Sequence, residues 1–121
     1  MAGMKSSATF QISAVLGFLA VALGAFGAHG LKEVLTGNDT LAIWQTAALY
    51  HLVHAAVLLF IAAREPQPVW AWRLIFSGVL IFSGSLYALA ITNVKALGAI
   101  TPIGGVCLLA GWLALAFGRR A

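Results

Sequence analysis

The sequence predicts an all-α membrane protein: four transmembrane helices in an up-down-up-down antiparallel bundle. Three observations predict it. The 121 residues are 62% hydrophobic and only 8% charged, whereas a soluble domain carries about 25% charged residues to cover its water-facing surface. The mean hydropathy is +1.00, and the apolar residues fall into four blocks, Thr9–Leu31, Leu41–Ala63, Trp70–Thr92 and Ala99–Gly118. At about 1.5 Å per residue, each block is long enough to cross a hydrocarbon core of about 30 Å. The three connections between them are short, so consecutive helices are expected to be antiparallel neighbours. Residues 1–121 therefore read as a single domain with no room for a soluble one.

The charges report on topology rather than on chemistry. A net charge of +4 drawn from so few charged residues is no basic patch for nucleic acid, which needs clustered Lys and Arg on an exposed face. The natural partners are membrane lipids, a second copy of the chain (a homo-oligomer) or another membrane protein. Lys5, Arg64, Arg73, Arg119 and Arg120 fall on one side of the membrane, Lys32 and Lys95 on the other. The positive-inside rule then places both termini and the Arg64–Val69 loop in the cytoplasm. Cys107 is the single cysteine, which excludes an intrachain disulfide and a C-x-x-C redox pair. The apolar run around Ala14–Ala28 sits inside a block longer than a signal-peptide core of about 7–15 residues, so the first helix is expected to be retained. Met1–Ser7 is a polar lead.

In the first helix Ser13, Gly17, Ala20, Gly24 and Gly27 recur at alternating spacings of four and three. Lipid supplies no hydrophobic drive between helices, so such a seam of small side chains predicts close backbone approach. The helix closes on GAFGAHGL, which puts His29 near the outer interface, and Leu31–Leu35 is expected to extend it into the headgroups. Thr36–Asp39 reads as a turn, with Asp39 or Thr40 as N-cap of the next helix. The second helix, with no Lys, Arg, Asp or Glu in 23 residues, carries the stripe Ala47, Tyr50, His51, His54 and Leu58. Polar groups inside a span face the bundle interior, so this stripe is read as the inward face; Gln45 points away from it. Trp44, Trp70 and Trp72 sit where interfacial aromatic belts form, whereas Trp112 is deeper and reads as a packing residue. Pro66 and Pro68 stop the helix.

The third helix holds Phe76-Ser77-Gly78 and Phe82-Ser83-Gly84. Ser77, Gly84 and Ala88 share a face that predicts a tight contact, and Tyr87 lies at a depth to meet His54 or Tyr50. The Asn93–Lys95 loop leads to Thr101-Pro102, with Thr101 as cap and Pro102 in the first turn, where its missing N–H costs nothing. Gly104, Cys107, Gly111, Ala114 and Gly118 form a second small-residue seam, expected to complement that of the first helix and to help it enclose the second helix's polar patch.

The spans contain no acidic residue, which argues against proton-coupled transport of the kind that uses a midplane carboxylate. Ser83 or Ser85 with His54 would lack a carboxylate to orient the imidazole, so no catalytic residue is assigned and no enzyme is expected. Imidazole is the commonest metal ligand, yet His29 lies near a helix end and His51 about 10 residues inside its own, a mismatch of about 12 Å. Metal–nitrogen bonds are about 2 Å, so no metal and no cofactor is assigned within one subunit; a haem shared between subunits is left open. His51, His54, Tyr50, Tyr87, Ser83 and His29 are the candidate polar pocket, with Gly17, Gly24, Gly27, Gly84, Gly104 and Gly111 as helix-packing residues. Tyr50 and Cys107 read as packing and hydrogen-bonding groups.

At GAFGAHGL, TAALYHLVHA, FSGSLYAL and GAITPIGG, one motif per helix, the chain resembles the family called domain of unknown function 423. These are small bacterial inner-membrane proteins with a similar eukaryotic transmembrane relative. The resemblance implies four helices and a multi-pass protein of the cell inner membrane, and no activity. It marks His29, Tyr50, His51, His54, Ser83, Tyr87 and Pro102 as this sequence's copies of the motif residues. Two functions are therefore carried forward: a structural or interaction protein packing through small-residue faces, or binding of a lipid or small ligand, or proton or solute permeation, through a His/Tyr pocket in the outer half of an oligomer. The topology has a direct check. A fluorescent reporter that matures only in the cytoplasm is expected to light up when fused after Ala121, and a periplasm-dependent phosphatase to be active only in the Thr36–Asp39 and Asn93–Lys95 loops.

Overall fold

A computed structural model describes residues 7–118; Lys5, Arg119 and Arg120, used for the orientation above, lie outside them. Its elements are α1 (Ser7–Ala28), a short α2 (Lys32–Asn38), α3 (Leu41–Ala63), α4 (Val69–Thr92), a 3-10 turn (Lys95–Ala99) and α5 (Thr101–Phe117). Four helical segments are long and apolar enough to cross a membrane, the fourth including the 3-10 turn. Among the described residues every element is helical, because the hydrocarbon layer admits only backbones that satisfy their own hydrogen bonds.

The ends differ from expectation in instructive ways. α1 does not run on to Leu35. It breaks at His29–Leu31, where the Leu31 N–H reaches back to the Phe26 carbonyl at 2.8 Å, and α2 starts afresh. Thr36, Gly37 and Asn38 belong to α2, and the turn is carried by Asp39 in the left-handed region at φ 58°, which Asp and Asn tolerate better than other residues with a Cβ. Thr40 precedes α3 but does not cap it with its side chain. Its hydroxyl instead donates to the Ala90 carbonyl at 2.7 Å, and the Asn38 amide donates to the Ala90 and Ile91 carbonyls at 3.0 and 3.1 Å. The first loop therefore terminates α4, whose last carbonyls have no helical partner. Thr101 likewise is no cap: α5 starts after Ile100, Pro102 sits in its first turn, and the Thr101 hydroxyl shares a 2.6 Å hydrogen bond with Ser85.

The helices are arranged as a lozenge rather than a ring of four. α3 and α4 form the central pair; α1 packs along α3 and α5 along α4. Two side-chain bonds tie each flanking helix to the farther member of the central pair: the Trp72 indole N–H donates to Ser13 of α1 at 3.0 Å, and that of Trp112 in α5 reaches His54 of α3. No comparable packing joins α1 to α5 among the described residues. Accordingly 39% of the span window is buried in each of α3 and α4, against 22% in α1 and 17% in the α5 segment. The core is Leu16, Leu58, Ile61, Ile75, Val79 and Leu108 with their neighbours. Phe18, Leu109, Leu113 and Phe117 turn outward to lipid.

The two small-residue seams consequently do not meet each other. That of α1 lies against α3, where Gly17 and Gly24 face Ala55 and Ala48 and a Cβ on Gly27 would overlap the Trp44 ring. That of α5 lies against α4, where a Cβ on Gly104 would overlap the Phe82 backbone and one on Gly111 the Ile75 side chain. Each seam serves the helix next to it in sequence because a short connection delivers that neighbour first. On α4 the predicted contact face is also corrected. Ser77 and Gly84 are exposed, nothing lies within 4 Å of a Cβ on Gly84, and the close approach is at Gly78, where a Cβ would lie 2.7 Å from Leu108 Cδ2. Trp44 and Trp72 are not belt residues; they are 2% and 7% exposed, whereas Trp70 is 69% exposed.

Gly104→Ala forces backbone apart and is expected to cost about 1–3 kcal/mol in a reversible detergent unfolding titration. Gly84→Ala is expected to stay within about 0.5 kcal/mol of the parent. Equal effects would contradict the packing described.

Candidate functional site

Helical periodicity places Ala47, His51, His54 and Leu58 of α3 on one buried face, as the sequence predicts. Tyr50 departs from it: the residue is 42% exposed, rotated to the edge of the stripe. The two imidazoles do not share one pocket. They fasten different helices.

His54 is 6% exposed. Its Nδ1 lies 2.8 Å from the Tyr50 carbonyl, one turn back, and its Nε2 lies 3.1 Å from Trp112 Nε1. A carbonyl only accepts and an indole N–H only donates. The ring is therefore the neutral Nδ1–H tautomer, giving its proton to Tyr50 and its lone pair to Trp112. The rings of His54 and Trp112 meet edge to face at 74°, with centroids 5.9 Å apart. Gly105 and Val106 of α5 lie beside them.

His51 is 4% exposed and its Nδ1 lies 2.9 Å from the Tyr87 hydroxyl. Tyr87 therefore meets His51, not His54 or Tyr50 as its depth suggested. Nε2 of His51 is buried with no hydrogen-bond partner among the described residues. Tyr87 also packs on Trp44, centroids 4.6 Å apart, and Trp44 Nε1 donates to the Leu23 carbonyl of α1 at 2.8 Å. Ser83 Oγ donates to the Ala47 carbonyl at 2.8 Å, tying α4 to α3 one turn below.

His29 stands apart. It is exposed at the end of α1, and no side-chain hydrogen bond links it to another described residue. Among the described residues no group of three or more His, Cys, Asp or Glu could hold a metal ion. His54 spends its lone pair on Trp112, and a lone pair is what a metal requires.

Two participants were missed from sequence. Trp112 was read as packing alone and Trp44 as interfacial, yet both donate indole N–H bonds inside the protein. The signal was present, since a deep Trp must find an acceptor, but the helical wheel of one helix does not say on which other helix that acceptor lies. Trp112→Phe and His54→Phe are each expected to destabilise the protein, and a double-mutant cycle between them to give a coupling of about 0.6–1.7 kcal/mol, the range for hydrogen bonds between membrane helices. A coupling near zero in an unfolding titration would mean the bond contributes nothing.

The family model described as protein of unknown function (DUF423) matches residues 23–105. Similar proteins include a UPF0382 membrane protein of Staphylococcus epidermidis, 45% identical over 108 residues, 86% of this chain and 88% of that one. The UPF0382 membrane protein SSP2132 of Staphylococcus saprophyticus is 42% identical over 111 residues, 88% of this chain and 92% of its own. The UPF0382 membrane protein YwdK of Bacillus subtilis is 41% identical over 108 residues, 84% and 87% of the two chains. No solved structure matches.

Proposed function

The chain belongs to the DUF423 family, and from that premise we propose that it is a structural or interaction protein of the inner membrane, without enzymatic activity, whose working surfaces are the outer faces of its flanking helices. Both termini face the cytoplasm in this reading. One observation carries it: the costliest polar groups of the spans, His51 and His54, are buried and bonded within the chain, His54 through both ring nitrogens and His51 through Nδ1. Polar groups that hold helices together leave the exterior to do the work. That exterior is broad, because the lozenge covers α1 and α5 from one side only and leaves Phe18, Val21, Leu109 and Leu113 facing outward. Such faces suit lipid, a second copy or another membrane protein.

Two measurements test the reading. A photo-crosslinker replacing Phe18 in α1 or Leu113 in α5 is expected to join the chain, in intact cells, to a discrete product of one added mass. Light scattering of the purified protein in detergent then identifies that product as a second copy or a different chain. Absence of any product at both positions overturns the proposal, as does a coloured or metal-bearing preparation.

A further inference from the structure

A groove of about 420 Å³ opens to the lipid-facing side where α3, α4 and α5 meet, lined among others by Tyr50, His54, Phe82, Gly105, Leu109 and Trp112. Most of its wall is apolar or aromatic. The exception that matters is Tyr50. Its carbonyl accepts from His54, but its hydroxyl has no hydrogen-bond partner among the described residues. The residue is 42% exposed and its ring packs against Phe82 at 4.8 Å and 38°. An O–H donor left unpaired against hydrocarbon is costly, because lipid tails offer no acceptor and water is absent.

Depth narrows what can satisfy it. Tyr50 lies nine residues beyond Leu41, the first residue of a 23-residue helix. Its Cα is thus about 13 Å from the start of a helix about 34 Å long, near the middle of the span. Phospholipid ester carbonyls sit at the edge of a hydrocarbon layer about 30 Å thick, about 15 Å from its midplane. With the Cα that deep, the hydroxyl stays below the ester level even when the side chain leans toward the helix N-terminus, and an acyl chain carries no acceptor at all. The partner must therefore bring an acceptor oxygen that is itself at home in hydrocarbon.

The walls narrow it again. Tyr50 and Phe82 form a tilted aromatic pair, and the edge-to-face contact with His54 holds Trp112 on the α5 side. Aromatic side chains favour flat partners in offset or edge-to-face arrangements. Gly105 keeps the space between them clear: a Cβ there meets only Phe82 Cδ2, at 3.9 Å. The volume lies within the range of about 300–1,000 Å³ typical of small-molecule sites, which likewise combine apolar walls with a few placed polar groups.

We propose that this groove binds a planar, carbonyl-bearing, membrane-soluble ring compound of the quinone class, with the Tyr50 hydroxyl donating to a ring carbonyl. His54 is not the donor, because its one N–H is given to the Tyr50 carbonyl; it positions Trp112 as a wall. The inference goes beyond the contact function proposed above: the groove shares Leu109 with the outer face of α5, but it turns on the Tyr50 hydroxyl, which that function does not use.

The test is a titration of the purified protein in detergent with a decyl-substituted benzoquinone, followed by tryptophan fluorescence quenching. Saturable quenching is expected for the parent, and Trp112→Phe is expected to reduce its amplitude. Tyr50→Phe, which removes one oxygen and keeps the packing, is expected to weaken binding about three- to tenfold, the worth of one neutral hydrogen bond. Gly105→Leu fills the groove and is expected to leave only the linear quenching of quinone partitioned into detergent. Leu substituted at the exposed, uncontacted Gly84 is expected to change nothing. Linear quenching in the parent overturns the proposal, as does unchanged affinity in Tyr50→Phe. Tightly retained phospholipid that the quinone does not displace overturns it too. So does efficient dimer cross-linking through Val106→Cys, which would give the groove to a second copy.

Discussion

Inside a bilayer neither water nor a lipid tail can satisfy a polar group, and the whole arrangement of this chain follows from that shortage. Water would hydrate two histidines, two tyrosines and several serines at little cost. Hydrocarbon leaves each donor to find a carbonyl, a hydroxyl or a ring nitrogen on a neighbouring turn or helix. The bond between Trp112 and His54 shows how much this decides. It fixes the imidazole tautomer, because an indole can only donate, and that tautomer obliges Nδ1–H to fold back onto the Tyr50 carbonyl. It also reaches past the neighbouring helix, so that α5 is tied to α3 as well as to α4.

The opposite flank has the same design with different groups. Trp72 donates to Ser13, whose own hydroxyl donates to the Thr9 carbonyl. Within the central pair, Ser83 joins α4 to α3 and Tyr87 joins His51. Individually such bonds contribute about 0.6 kcal/mol on average between membrane helices. Their collective effect is geometric: they select one rotation of each helix about its axis, while the glycine contacts at Gly27, Gly78, Gly104 and Gly111 set how near the axes come. Polar bonds give register and glycines give distance. Neither substitutes for the other, because dispersion contacts between apolar side chains are equally available from lipid.

This division of labour separates two regions of the same stripe. His51 and His54 are buried and bonded to neighbouring helices, His51 through Nδ1 alone, whereas Tyr50, one residue away in sequence, is turned by the helical 100° step to the edge where α3 borders lipid. The exposed part of the polar stripe is therefore a single hydroxyl in an aromatic-lined groove, and it is the feature that the packing of the bundle leaves unexplained.

Much of the fold was legible in the chain. Length and apolar composition determine four spans, because an apolar segment of about 20 residues has few other stable destinations. The alternation of small residues at Ser13–Gly27 and Gly104–Gly111 determines which faces of the outer helices approach a neighbour, because the 3.6-residue period is local. The buried position of His51 and His54 followed from the same periodicity. What one helix's pattern does not contain is the identity of the neighbour. That α1 and α5 lie on opposite flanks, that their seams never meet, that Gly78 rather than Gly84 makes the close contact, and that Trp112 and Trp44 complete the polar network were decided by tertiary structure alone. The physical reason is that a helical wheel gives the direction of a side chain, while its hydrogen-bond partner depends on the position and rotation of a second helix, fixed only when all four pack together.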